Sequence, residues 1–272
     1  LFSITIPYVS GSQFGYIFGK DSYTGGTRTE QYYSPSYSSY YYTYYIPATL
    51  REVTITKATS LAYSAFSNCS NITEINLNDK ITSIGDKAFY NCSSLKTIVI
   101  PQATTDIGTS AFYNCDSLTN VIIPNSVTTL GVCAFQDSNN LSNVTLSENL
   151  TTINNYTFSG CTGLKNISIP ASVTTIGEKA FYNCSSFSEI SIPDKVTSIG
   201  SSAFEGCSGV TKLHIGESVK TIGSSAFKGL SKITTAKVPD STTSIGECAF
   251  SGCSSLFSIT IPYVSGSQFG YI

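Results

Sequence analysis

The chain has no methionine, no tryptophan and one histidine, and only 12% of its residues are charged. Each shortage removes a class of function. His214 alone cannot furnish a Ser-His-Asp or Cys-His set without distant partners, and it falls on the outward side of an expected strand beside Lys212. A net charge of −2 provides neither the basic stripe of a nucleic-acid binder nor an acidic solubilising tail. No apolar run is long enough to span a membrane as a helix. The Gly15–Lys20 stretch lacks the spacing of a phosphate loop. Carboxylates are scattered and no close pair recurs, which leaves paired acid–base chemistry unsupported. The expectation is therefore no catalytic residue, no metal ligand and no cofactor. With no methionine and no leader-like stretch, the start of translation and any signal peptide are expected to lie outside this sequence.

What is present is a period. Nine Ala-Phe-type dipeptides place Phe66, Phe89, Phe112, Phe135, Phe158, Phe181, Phe204, Phe227 and Phe250 at an unbroken spacing of 23 residues. A fixed period of this length marks a solenoid, in which each repeat is one coil and touches only its neighbours. Apolar residues recur six, nine and eleven positions after each phenylalanine, as in Leu164, Ile167 and Ile169. The alternation of the last two predicts a short strand with one buried face. A proline such as Pro170 or Pro193 often follows, where a ladder must end. A second apolar set, Val173 and Ile176 before Gly177, predicts another short extended piece, and the Gly177–Cys184 stretch has room for about one helical turn. Two residues after the phenylalanine stands Asn, Gly or, once, Asp137, which predicts a left-handed backbone there in every coil.

Cysteine stands three positions after seven of the nine phenylalanines, with Ser138 and Leu230 as the exceptions. This inward position predicts a ladder of buried free thiols, because stacked coils hold their Cβ vectors parallel and far from disulfide geometry. No two cysteines have zinc-site spacing. Cys133 and Cys248 sit two before their phenylalanines instead, and are the candidates for exposed thiols.

The unit Ile-Gly-x-x-Ala-Phe-x-Asn/Gly-Cys-Ser-x-Leu-x-x-Ile-x-Ile-Pro-x-x-Val resembles the BspA-like class of leucine-rich repeat over residues 50 to 262, best in 84–106 and 176–198. The resemblance implies a mainly β leucine-rich-repeat solenoid: a parallel strand ladder with short helical or 3-10 turns, interrupted here by a Tyr-rich insertion. It also implies a non-enzymatic extracellular or cell-surface protein, acting in adhesion or in binding a host or matrix protein or a glycan.

A longer repeat overlies the short one. Residues 1–17 and 256–272 are identical, an offset of 255. This suggests tandem super-repeats, and with them self-association, stacking into a stalk or filament. The expected organisation is a last strand of a preceding array in 1–7, a Tyr-rich insertion in 8–48, nine coils in 49–262, and in 263–272 a copy of 8–17. The array resumes at Leu50, Val53 and Ile55, one residue out of phase.

Two surfaces are candidates for binding. The outward strand positions form two columns on the expected concave face: Glu74, Thr97, Asn120, Asn143, Asn166, Glu189 and Lys212 in one, Asn76, Val99, Ile122, Thr145, Ser168, Ser191, His214 and Lys237 in the other. Val99 and Ile122 make a small apolar patch, and Lys212, His214 and Lys237 a mildly basic end. The other candidate is the tract of Tyr32, Tyr33, Tyr37, Tyr40, Tyr41, Tyr42, Tyr44 and Tyr45, which could offer an amphipathic contact surface or seal the open end of the array.

Overall fold

The computed structural model describes residues 1–8, 13–32 and 41–262. Each 23-residue period closes one coil of a solenoid. Its first stretch is a three-residue strand. Glu189–Ser191 pairs in parallel with Lys212–His214, Ile190 opposite Leu213. The central residue faces inward, as the alternation predicts, and Ile75, Val121 and Ile190 are all buried. This ladder thins to single bridges at Thr97 and Asn166. The second stretch is the two-residue strand, such as Thr175–Ile176. Five of these form one parallel sheet from Thr152–Ile153 to Ser244–Ile245.

The third stretch carries the Ala-Phe dipeptides and departs from expectation. It is a succession of β-turns, with no helical element assigned between Ser60 and Pro262. Within one coil, the Ala203, Glu205 and Cys207 N–H groups donate to the Gly200, Ser202 and Phe204 carbonyls. The alternate groups, Ser202, Phe204 and Gly206, donate to Ser224, Ala226 and Lys228 in the next coil at 2.8–2.9 Å. Two left-handed residues per coil make this possible. The second position after the phenylalanine is one of them in every coil, from Asn68 (φ 60°) to Gly252 (φ 73°), as read from its Asn/Gly/Asp usage. The other lies two before the phenylalanine and holds Ser64, Lys87, Ser110, Cys133, Tyr156, Lys179, Ser202, Ser225 and Cys248, with φ between 49° and 59°. Such a backbone costs a non-glycine residue about 1–2 kcal/mol, and the bonds to the adjacent coil hold it there.

Inside, the phenylalanine rings stack continuously from Phe66 to Phe250, with centroids 5.0–5.8 Å apart and planes within 24°. The coils approach so closely at Gly200 that a Cβ there would lie 2.5 Å from the backbone of Gly177 and Glu178. All nine cysteines are free and the seven ladder thiols are buried. Six of those seven donate S–H to the phenylalanine carbonyl of the preceding coil, as Cys92 does to Phe66 at 3.0 Å and Cys207 to Phe181 at 3.1 Å. Ser138 replaces the thiol with a hydroxyl that makes the same bond to Phe112 at 2.9 Å.

At one end stand β1 (Ser3–Ile6), β2 (Gly26–Tyr32), β3 (Tyr41–Pro47) and β4 (Glu52–Ile55). Strands β1 and β4 pair in parallel with Ile6 opposite Ile55, 49 residues on instead of 23. The coil between them therefore holds 26 additional residues. Part of these form the antiparallel β2–β3 hairpin, Tyr32 opposite Tyr41. The single-residue phase shift is visible in Val53 pairing with Ile75, an offset of 22.

Candidate functional site

The strand columns emerge on the surface as the alternation requires. Of the fifteen candidate residues only Asn76 is half-buried, and the rest are exposed. Their polar members bond along the solenoid: Asn143 Nδ2 donates to Asn120 Oδ1 at 2.7 Å and Ser188 Oγ to Asn166 Oδ1 at 2.9 Å. Val99 and Ile122 break the polar run. They are 80% and 66% exposed. They border a hollow of about 280 Å³ with Thr97, Ile98, Ile100, Gln102 and Asn120. Covering such side chains fully is worth about 1.5–3 kcal/mol each.

The basic end is weaker than its residue list suggests. Lys237 Nζ sits 3.0 Å from Glu217, whose hydrogen bond raises the lysine pKa. Glu189 stands in register beside Lys212. The positive charges are thus largely balanced.

The tyrosine tract divides. Tyr33, Tyr37 and Tyr40 lie outside the described residues. Tyr44 is buried, its hydroxyl donating to Gln13 Oε1 at 2.9 Å. Tyr32 packs edge-on against Tyr41 and Tyr90 beneath the Lys87 ammonium, 4.6 Å from its ring centre. Tyr41 and Tyr42 are exposed, and Tyr45 is half-buried. Among the described tyrosines of the tract, Tyr44 is the buried one, and Tyr32 packs onto the array at Tyr90.

The end of the array is closed by residues that the sequence reading passed over. Phe14 packs against Phe66 with its ring tilted by 34°, and its N–H donates to Ala65 O at 2.8 Å, copying the bond that the ladder phenylalanines from Phe66 to Phe227 make to the next coil. Gln31, buried, gives Nε2 to the Ala65 and Ser67 carbonyls at 3.2 Å and accepts from Gly15 N–H on Oε1. Counting from Ile4 at the array spacing leads instead to Phe18, which lies edge-on to Phe14. The available signal was the Gln-Phe-Gly triplet at 13–15, an echo of the Ala-Phe turn.

Cys133 and Cys248 are half-buried, short of the exposure expected. Burial, then the Asp137 charge, pushes the Cys133 thiol up, against a Ser110 hydrogen bond that pulls it down. This is the opposite of an activated thiolate. In the ladder, burial raises Cys92 to about 12 and Cys253 to about 11. Among the described residues no three His, Cys, Asp or Glu side chains gather as a metal site, and no helix is long and apolar enough to cross a membrane.

A family model described as the BspA type leucine-rich repeat region matches residues 59–187 and 174–268. A leucine-rich repeat protein of T. pallidum superposes with a TM-score of 0.56 at 25% identity, over 72% of this chain and 82% of that one. A leucine-rich repeat protein of Bacteroides ovatus gives 0.48 at 24% identity, over 96% and 81%. A leucine-rich cell surface protein of Faecalibacterium prausnitzii gives 0.44 at 22% identity, over 98% and 89%. No curated protein sequence matches.

Proposed function

The chain belongs to the BspA-type leucine-rich repeat family, and from that premise we propose that it is a non-enzymatic cell-surface module that binds a protein ligand through the Val99–Ile122 stretch of its strand face. One observation carries this reading: two adjacent large aliphatic side chains stand exposed above a hollow, in columns that are otherwise Asn, Thr, Ser, Glu, Lys and one His. A rigid, polar face with a small apolar centre has the composition of a binding patch with an anchor and a rim. The extracellular setting agrees with a surface built from neutral amides and hydroxyls. Binding to immobilised matrix glycoproteins, compared between the native chain and a Val99→Ser/Ile122→Ser variant, tests the proposal. Equal binding by both would overturn it.

A second reading is favoured by β1. The Ser-Ile-Thr-Ile segment recurs at 258–261, and its first copy pairs in full register with β4. A segment of this sequence can therefore seat one array on the next, and successive 255-residue units would stack into a stalk. Electron microscopy of the purified native protein distinguishes the two. Uniform fibres support the stalk, and separate short rods support the binding module.

A further inference from the structure

A cleft of about 480 Å³ lies where the hairpin leaves the solenoid. Its volume is that of a small-ligand site. One wall is β2, through Arg28, Glu30 and Tyr32; the other is the asparagine column Asn68, Asn91 and Asn114. We infer that this cleft binds a neutral oligosaccharide.

The lining selects the ligand class. No aliphatic residue lines it and most of its exposed lining is polar, so an apolar ligand would gain little there. Arg28 is already paired with Glu30, and the Lys87 ammonium lies over the Tyr32 ring and not among the lining residues, so the lining itself offers no net charge to attract phosphate, a nucleic acid or a free cation. What remains is a dense set of neutral donors and acceptors. Asn68 Nδ2 donates to the Glu30 carbonyl, Asn91 Nδ2 to Asn68 Oδ1 at 2.9 Å, and Asn114 Nδ2 to Asn91 Oδ1 at 3.1 Å. Asn68 and Asn91 each spend one N–H and one lone pair along the column, leaving the other N–H and lone pair for a ligand. Ser70 and Ser93 add hydroxyls beside them. Closely spaced groups that both donate and accept, without charge, match the hydroxyls of a sugar. At the strand spacing of about 4.8 Å the column runs roughly 10 Å, the length of a disaccharide.

The site is also held in shape before any ligand arrives. The amide chain fixes each asparagine, and Tyr32 is held by Tyr90, Tyr41 and Lys87. Little side-chain freedom remains to be lost on binding. The wall makes the site singular: Asn183 occupies the same coil position with the same left-handed backbone but does not line the cleft. The site is separate from the Val99–Ile122 patch, and either can fail without the other.

The test follows the side-chain amide signals of Asn68, Asn91 and Asn114 by two-dimensional NMR. The intact chain is titrated with cellobiose, maltose, lactose and N,N′-diacetylchitobiose, and separately with inorganic phosphate. Asn91→Gly is a sound variant, since Gly160, Gly206, Gly229 and Gly252 hold this position in other coils. The expected result is a saturable shift of these signals with at least one disaccharide. Affinity should weaken about tenfold or more in Asn91→Gly and in Tyr32→Ala, and be unchanged in Asn183→Gly. No saturable shift with any disaccharide, a response to phosphate alone, or equal affinity in Asn91→Gly would overturn the assignment.

Discussion

The ring of Phe14 lies 5.0 Å, centre to centre, from that of Phe66, tilted by 34°, and covers the end of the phenylalanine stack one step beyond the nine regular coils. A solenoid that simply stopped at Phe66 would bare one ring face and leave inward carbonyls without donors. Phe14 supplies both a ring and a backbone donor, and Gln31 supplies a side-chain amide to Ala65 and Ser67. Together they imitate a preceding coil with residues that do not follow its sequence. Terminal units with their own chemistry are what a repeat array requires for solubility.

Removing the amide should loosen this end alone. Gln31→Leu keeps the bulk but strips a donor from buried carbonyls, at a cost of about 1–3 kcal/mol. Hydrogen exchange should quicken at the Phe14 and Phe66 amides and stay unchanged at Phe204. Equal protection in variant and native chains would rule out a capping role.

Deleting a ring from the stack should be costly. Phe112 and Phe181 are fully buried, each between two stacked neighbours. Phe112→Ala or Phe181→Ala is expected to lose about 3–5 kcal/mol in a denaturant melt. A loss below about 1 kcal/mol would contradict the stacked core.

Ser138 separates polarity from size at the thiol position. Its Oγ donates to Phe112 O and accepts from Cys115 N–H at 3.2 Å, all within the core. Ser138→Ala leaves both groups unpaired and should cost about 1–3 kcal/mol. Ser138→Cys, restoring the residue used by seven coils, should be close to neutral. Equal melting of the two variants would show that the bond contributes nothing.

Alkali should unfold the protein through its thiols. Burial raises Cys92 from 9.0 to about 12. The unfolded chain therefore releases its protons first. Between those values the folded state binds more protons, so stability is intact below about pH 9 and falls as pH rises towards 12. Replacing Cys92 by Ser should flatten that part of the curve. In the native state at pH 8, a disulfide reagent should modify Cys133 and Cys248 ahead of the ladder thiols, which should react only on unfolding. Rapid titration of all nine without loss of structure would refute the buried ladder.

Much of this molecule is legible in the chain because each coil restates the same local rule. The 23-residue period, the inward Leu, Ile, Phe and Cys positions, the two short strands and the left-handed residue two positions after each phenylalanine all follow from side-chain chemistry repeated nine times. The second left-handed position is different. Lys87, Tyr156 and Lys179 have no intrinsic preference for it, and only bonds to the adjacent coil impose it. Likewise, spacing from Ile4 points to Phe18, yet Phe14 enters the stack, because the hairpin fixes which residue reaches the coil end. The cap and the cleft occur once, between residues more than thirty positions apart. With no repetition to mark them and no local pattern to announce them, they exist only when the hairpin closes on the first coils.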